Sequence, residues 1–180
     1  MINAIKSDPN LTPFIKQKSE CCYDGKPEHP YIDNDIHDDS VVALAPDEYY
    51  NSLHLSNTPP SIDYLVTLES KDKGFAHFLI EDKNVKRASG IDVNNIYRKF
   101  KTTLEDFMSE RFGQLFLDEA YPIFTIRLYL VSNLEKPSKK EDRTGKGMRL
   151  EILQTMLPFK FRGIRVTIDN SDPKVLVKRY

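Results

Sequence analysis

The feature that most constrains this chain is a pair of strand candidates separated by a short polar turn. Residues 61–69 and 75–83 are rich in the branched and aromatic residues that favour strands. The segment between them, Ser70–Gly74, is polar and ends in glycine, as hairpin turns commonly do. We therefore predict an antiparallel hairpin over residues 61–83, around which the remaining elements assemble.

Helical and extended patterns alternate on either side of this hairpin. Before it, we expect a short helix within residues 8–20, a loop over Asp24–Asp39 and a helix that opens at Pro46. After it, we expect a helix from Val93 to Phe112, because apolar residues recur there every three or four positions. The segments that follow are predicted as a strand, a loop, a helix and a strand: Phe124–Val131, Asn133–Gly147, Met148–Leu157 and Gly163–Ile168. This order predicts an α/β fold in which a mixed sheet of four to five strands is flanked by helices on both sides.

The size and composition of the chain favour a single globular domain over residues 1–180, with an extension over about 1–45 and a core over about 46–169. Hydrophobic residues make up 39% and charged residues 29%, which is typical of a globular chain. No apolar run approaches the ~18 residues of a membrane helix, and the N-terminus lacks the pattern of a secretory leader. The adjacent Cys21 and Cys22 cannot join distant segments or form a four-ligand zinc site. We expect a cytoplasmic protein that does not enter the membrane.

The end of the hairpin carries acidic and basic residues whose relative positions depend on the turn. Side chains alternate along a strand, so Glu81 and Lys83 share one face and Asp82 points to the other. A five-residue turn over Ser70–Gly74 places Asp63 directly opposite Glu81. A four-residue turn instead places Asp63 opposite Asp82 on the buried face, since a slip of one residue reverses the faces.

Two neighbouring carboxylates and a lysine suit the hydrolysis of a phosphodiester. A divalent ion polarises the phosphoryl oxygen and lowers the pKa of the attacking water. Mg²⁺ is commonly held by a few carboxylates together with water and substrate oxygens. A lysine beside them can orient the water and offset the developing charge. A hairpin that simply exposes charged side chains to solvent accounts for the same residues.

The chain resembles the PD-(D/E)xK nuclease superfamily, the fold of many type II restriction endonucleases. The resemblance covers about residues 46–169 by element order, and its motif is Ser61-Ile62-Asp63, seventeen residues, then Glu81-Asp82-Lys83. It departs from the family pattern at Ile62, where proline is usual. The resemblance implies that Asp63, Glu81 and the backbone carbonyl of Asp82 bind Mg²⁺, with Mn²⁺ as a substitute. It also implies that Lys83 assists the nucleophile.

Many members of the superfamily add an acidic residue from the preceding helix. By position Glu48 is the first candidate for this extra metal ligand, and Asp47 is the second. Acidic residues at a helix N-terminus are also explained by the helix dipole alone. Both explanations remain open at this point.

Several basic residues are candidates for contacts with DNA. Lys99 and Lys101 lie on the helix after the hairpin, where they could reach phosphates, although an exposed helix face is the more common explanation for each. Arg162 and Arg165 lie beside the final strand and could make bidentate contacts. The loop Lys136–Lys146 is a candidate DNA-contacting flap, although a charged run of this kind is more often a solvated loop.

These features lead to one functional hypothesis and two alternatives. We expect a Mg²⁺-dependent endonuclease that cuts double-stranded DNA, belongs to a restriction system and works as a homodimer. The net charge of −1 does not by itself indicate a nucleic-acid binder. Contacts with DNA would therefore have to come from local groups of basic residues. The alternatives are a structure-selective or repair nuclease of the same fold, and a non-catalytic nucleic-acid-binding subunit.

Overall fold

A mixed six-stranded sheet organises the protein. The structure is a computed structural model that describes residues 1–84, 90–132, 156–171 and 174–178. The sheet order is β1-β2-β3-β4-β5-β8, and β6 and β7 form a separate two-stranded hairpin. The strands are β1 (Ile15–Lys16), β2 (Val41–Leu44), β3 (Tyr64–Ser70), β4 (Gly74–Lys83), β5 (Ile123–Ser132), β6 (Phe159–Phe161), β7 (Ile164–Val166) and β8 (Ile168–Ser171).

The sheet changes from antiparallel to parallel at its centre. Strands β1 to β4 pair antiparallel with their neighbours, whereas β4, β5 and β8 run parallel. The predicted α/β class with a mixed sheet is therefore confirmed, but the predicted count of four to five strands is wrong. Strand β1 is only two residues long, and all four residues of β2 are buried, so neither strand shows the alternation that predicts a half-buried strand.

The described helices are short. They are α1 (Ile2–Ser7), α2 (Pro46–Ser52), α3 (Val93–Thr102) and α4 (Gly113–Phe116), with a π-helix over Thr103–Arg111 between the last two. The helix predicted within residues 8–20 is wrong, because this stretch holds two short 3₁₀ turns around β1. The helix predicted from Val93 is confirmed, but its second half has the wider π-helical winding. None of the described helices is long and apolar enough to cross a membrane.

Two predicted segments fall largely outside the described residues. They are the loop Lys136–Lys146 and all but the last two residues of the helix predicted over Met148–Leu157.

The β3–β4 hairpin has the register that a five-residue turn predicts. Tyr64 pairs with Ile80 and Ser70 pairs with Gly74, which leaves three residues, 71–73, in the connection itself. Gly74 has a φ of +92°, and a Cβ there would overlap the Pro122 carbonyl oxygen. Glycine is therefore required at this turn for both its backbone angle and the space around it.

The two faces of the sheet bury separate apolar cores. On one face, β3 and β4 contribute residues such as Leu65 and Leu79, which pack with Phe100 and the other buried residues of the α-helices. On the other face, Phe78 and Ile80 pack with a segment that includes Tyr31, Ile32 and Val177. This second core is covered mainly by residues 21–36 and the C-terminal segment, rather than by α-helices among the described residues. The side chain of Glu81 lies on the same face of β4 as Leu79, so it is buried at the edge of the first core, beneath α3.

Candidate functional site

Glu81 is the centre of the candidate site. It lies near the end of β4, and its side chain has no solvent exposure. Its Oε1 atom is 2.7 Å from the ammonium nitrogens of both Lys83 and Lys99. Its Oε2 atom is also buried, and it has no hydrogen-bond partner among the described residues. A buried carboxylate oxygen without a partner lowers the stability of the folded state, and binding of a cation or a proton would remove this penalty.

Asp63 lies beside Glu81, immediately before β3. Its Oδ2 atom accepts a 2.6 Å hydrogen bond from the backbone N–H of Asp82, which fixes the carboxylate against the end of β4. The preceding N–H, of Ile62, donates to Thr103 Oγ1 at 3.3 Å, and that hydroxyl donates to the carbonyl of Lys99 at 3.0 Å. The start of the π-helix therefore holds the backbone that presents Asp63.

The backbone of Asp82 faces Asp63, while its side chain points away. The N–H and C=O of one strand residue point to the same side, so the Asp82 carbonyl also faces the end of β3. The carboxylate lies on the opposite face, where its Oδ2 accepts from Tyr31 Oη at 3.0 Å and from the Asp24 N–H at 2.8 Å. The predicted alternation of Glu81 and Asp82 across the sheet is confirmed.

The electrostatics of the site follow from burial and from two opposing sets of charges. Burial, together with the negative charge of Asp63, raises the pKa of Glu81 to about 7, although Lys99 and Lys83 act in the other direction. Burial tends to lower the pKa of Lys83, but the Glu81 carboxylate outweighs it and the net pKa is raised. Glu81 is therefore close to its protonation midpoint near neutral pH, while Lys83 keeps its charge.

Lys99 occupies a different place from the one that the sequence suggested. The sequence suggested that Lys99 lies on an exposed face of its helix. In the structure its side chain is only 16% exposed and reaches into the site. Its Nζ lies 3.8 Å from Asp63 Oδ1 in addition to its close contact with Glu81. A signal was available, because Lys99 follows the buried Ile96 by three positions and precedes the buried Thr103 by four.

The two acidic candidates of α2 point to different partners. Glu48 is half-exposed, and its Oε1 forms a 2.7 Å ion pair with Lys16. Asp47 is more buried, and burial followed by repulsion from Asp63 raises its pKa to about 6. The structure thus places Asp47 close enough to Asp63 for the two carboxylates to repel each other, whereas Glu48 forms an ion pair with Lys16.

A cleft of about 430 Å³ opens beside Asp63, between α2 and the ends of β3 and β4. Six of the residues that line it are acidic, and one is a lysine. The lining residues are Lys16, Glu20, Asp24, Ala45, Asp47, Glu48, Asp63, Tyr64, Asp82 and Asn84. Such a surface repels a phosphate backbone unless cations neutralise it.

Comparison of the chain with models of protein families, with curated proteins and with solved structures found no match. The site's own geometry is therefore what bears on its function.

The donor set suits a hydrated Mg²⁺ ion better than it suits an ion whose ligands all come from the protein. Among the described residues, no group of three or more His, Cys, Asp or Glu side chains is arranged to hold a metal ion. Two carboxylates with one backbone carbonyl leave several positions for water and substrate, as Mg²⁺ prefers. The unpartnered Oε2 of Glu81 is an available ligand atom. The residues present therefore fit a hydrated divalent ion held by Asp63 and Glu81.

The other basic candidates lie apart from this cluster. Lys101 is half-exposed on α3 and lies 3.7 Å from Glu105. Arg162, in the β6–β7 turn, donates from Nη1 to the Tyr121 carbonyl at 2.8 Å. Arg165 is exposed on β7, directly across from Lys160 on β6.

His77 shares the Glu81 face but does not join the site. It is fully buried, its Nδ1 is 3.0 Å from Thr67 Oγ1, and its ring packs against Phe116. Burial, with a smaller effect from Arg162, lowers its pKa to about 3, so it stays neutral. This is a packed core histidine four residues before Glu81.

The two cysteines are ordinary buried thiols. Both are free, and burial raises the pKa of Cys21 to about 12. A thiol with such a high pKa is a poor nucleophile at neutral pH.

Proposed function

We propose that this protein is a Mg²⁺-dependent endonuclease that hydrolyses phosphodiester bonds in double-stranded DNA, in the manner of PD-(D/E)xK enzymes. The observation that carries the proposal is the fully buried Glu81, which lies beside Asp63, contacts Lys83 and has one carboxylate oxygen without a hydrogen-bond partner among the described residues. Burying the Glu81 carboxylate together with two largely buried ammonium groups is costly for stability, which is expected of a functional site.

Each residue of the cluster has a role in this proposal. Asp63 and Glu81 would hold the ion, and the Asp82 carbonyl, which faces the same side, would complete the protein ligands. The ion would supply Lewis-acid polarisation of the phosphate and a lowered pKa for its bound water. Lys83 stays charged and is fixed by Glu81, so it can orient a water molecule and stabilise negative charge on the phosphate.

Asp47 supports the proposal as the additional acidic group. It lines the cleft with Asp63, and its raised pKa reflects burial and proximity to that carboxylate. A divalent ion would relieve this repulsion. We assign it the auxiliary role in preference to Glu48, whose carboxylate is paired with Lys16.

DNA would be held by basic residues outside the acidic cleft. Lys101 and Arg165 are exposed cations on α3 and β7, and Arg162 lies at the tip of the hairpin between β6 and β7. Phosphate contacts of this kind make binding weaken steeply with salt. A homodimer would supply one such site for each strand of the duplex.

The test is cleavage of a sequenced supercoiled plasmid by the purified protein with Mg²⁺ or Mn²⁺. We expect discrete bands from the wild type. Asp63→Ala, Glu81→Ala and Lys83→Ala should each reduce the cleavage rate by about 10²-fold or more, because each removes a metal ligand or a charge in the transition state. DNA binding should change little by comparison, and a cooperative thermal unfolding transition should show that each variant folds.

Matched controls lie at the opposite end of the same hairpin. Glu69→Ala and Lys71→Ala remove an exposed acid and an exposed base from β3 and its turn, and they should leave cleavage unchanged. Wild-type cleavage by Glu81→Ala would show that the site assignment is wrong. Cleavage confined to branched or damaged DNA would instead indicate a structure-selective or repair enzyme. Binding without cleavage of any DNA, with either ion, would indicate a non-catalytic subunit.

A further inference from the structure

Lys99 is the group in this cluster that the proposed chemistry does not use. Among the cations in the described ranges, it alone lies within 4.0 Å of both acidic residues, at 2.7 Å from Glu81 Oε1 and 3.8 Å from Asp63 Oδ1. Its side chain is 16% exposed, so solvent screens these contacts only weakly. Lys83, by comparison, contacts Glu81 from the same strand.

The position of Lys99 is imposed by the helix that carries it. Asp92 caps α3 by accepting from the Asn95 N–H at 3.0 Å, and Ile96 and Phe100 bury the same side of the helix in the core. Thr103 then accepts the Ile62 N–H and donates to the Lys99 carbonyl, which ties the helix to the Asp63 backbone. The ammonium therefore sits beside Asp63 as a consequence of packing.

A divalent ion at these carboxylates would lie close to this ammonium. Mg²⁺ binds carboxylate oxygens at about 2.0–2.1 Å. With Asp63 Oδ1 only 3.8 Å from Nζ, an ion on that oxygen would lie no more than about 6 Å from Nζ. Either Lys99 moves away or the two cations repel each other at short range.

We propose that Lys99 is a built-in competitor of the divalent ion: its ammonium neutralises Asp63 and Glu81 in the metal-free protein and lowers their affinity for the ion. This inference rests on the proposed function, since it concerns the same metal ligands. A substrate phosphate would offset the competition, because it brings oxygen ligands to the ion and a negative charge to the neighbourhood of Nζ.

The inference predicts an effect opposite to that of an ordinary supporting residue. If Lys99 only positioned Glu81, its removal would disorder a ligand and weaken ion binding. If Lys99 competes with the ion, its removal strengthens binding. The interaction of a divalent ion with a unit charge at this range predicts a gain of about tenfold or more.

The experiment is a titration of the metal-free protein with Mn²⁺, followed by electron paramagnetic resonance of the free ion and by calorimetry, without DNA. Lys99→Met keeps the length and apolar stem of the side chain, and Lys99→Gln is a second variant that keeps a polar end. We expect both to bind Mn²⁺ about tenfold or more tightly than the wild type. Lys101→Met removes an exposed charge two residues along the same helix, and its affinity should stay within about twofold of wild type.

Thermal unfolding is the second readout. Mn²⁺ at one fixed concentration should raise the Tm of Lys99→Met more than that of the wild type or of Lys101→Met, because tighter binding at the same ligand concentration stabilises the folded state more. This comparison also shows that each variant folds.

The outcomes separate this inference from the proposed function. Equal or weaker binding by both Lys99 variants, with binding still lost in Asp63→Asn, would overturn the competitor role and leave the metal site standing. If Asp63→Asn binds Mn²⁺ as well as the wild type does, or if neither the wild type nor the Lys99 variants bind it, both the site and the inference are wrong.

Discussion

Replacing Glu81 by glutamine tests whether this buried carboxyl group controls the stability of the protein. Burial and Asp63 raise the pKa of Glu81 from its ordinary value of 4.5 to about 7. The native state therefore holds the proton more tightly than the unfolded chain does. The stabilisation from this group is complete below about pH 4.5 and is lost as the pH rises through about 7.

The size of the effect follows from the same values. Each pKa unit corresponds to about 1.36 kcal/mol. The rise of the Glu81 pKa from 4.5 to about 7 therefore changes the free energy of unfolding by about 3 kcal/mol at most. Glutamine is neutral at every pH and lacks this dependence. At pH 4.5 both side chains are mostly neutral, and wild type and Glu81→Gln should have similar free energies of unfolding.

Urea denaturation of both proteins, in chelator and without divalent ions, measures this difference across pH 4.5–8. We expect the free energy of unfolding of Glu81→Gln, relative to wild type, to increase by about 3 kcal/mol across that range. Parallel pH profiles that stay within about 0.5 kcal/mol of each other would refute the reasoning. They would mean that the two lysines already hold Glu81 ionised at its ordinary pKa.

Further predictions concern α2 and the hairpin turn. Asp47→Asn should lower the rate of plasmid cleavage by about tenfold, because Asp47 faces Asp63, whereas Glu48→Gln should cut like wild type; a larger loss in Glu48→Gln would reverse this assignment. Gly74→Ala should destabilise the protein by about 2 kcal/mol or more in urea denaturation, because its φ is +92° and a Cβ would overlap the Pro122 carbonyl. Gly163→Ala, also at positive φ but with open space around it, should cost only about 1 kcal/mol, and equal losses would rule out the clash with Pro122.

Local sequence was sufficient to predict the hairpin and the face of each residue at its end. Alternation along β4 places Glu81 and Lys83 together and sends Asp82 to the other side, and neither assignment depends on distant contacts. The polar turn ending in Gly74 left two registers open, and the structure has the one expected from a five-residue turn, although only three residues form the connection. The choice between the two turn lengths could not be made from the sequence, since it depends on which backbone groups pair.

The tertiary structure decided the remaining features of the site. Helical spacing puts Lys99 near the side of Ile96, but only the packing of Ile96 and Phe100 decides that Lys99 turns towards Glu81 and that Lys101 stays in solvent.

The acid of α2 was decided in the same way. Glu48 and Asp47 are adjacent in the chain. Glu48 forms an ion pair with Lys16 of β1, whereas Asp47 lies close to Asp63. These contacts join residues that are far apart in sequence, so no local pattern encodes them.

The end of the hairpin, then, was determined by alternation and turn chemistry within about twenty residues of chain. The full burial of Glu81 and the two ammonium groups on its Oε1 were determined by how α3 packs on the sheet. Burial depends on the elements that cover a residue, and these come from elsewhere in the chain. This is why the positions of Asp63, Glu81 and Lys83 at the end of the hairpin were predictable and their electrostatics were not.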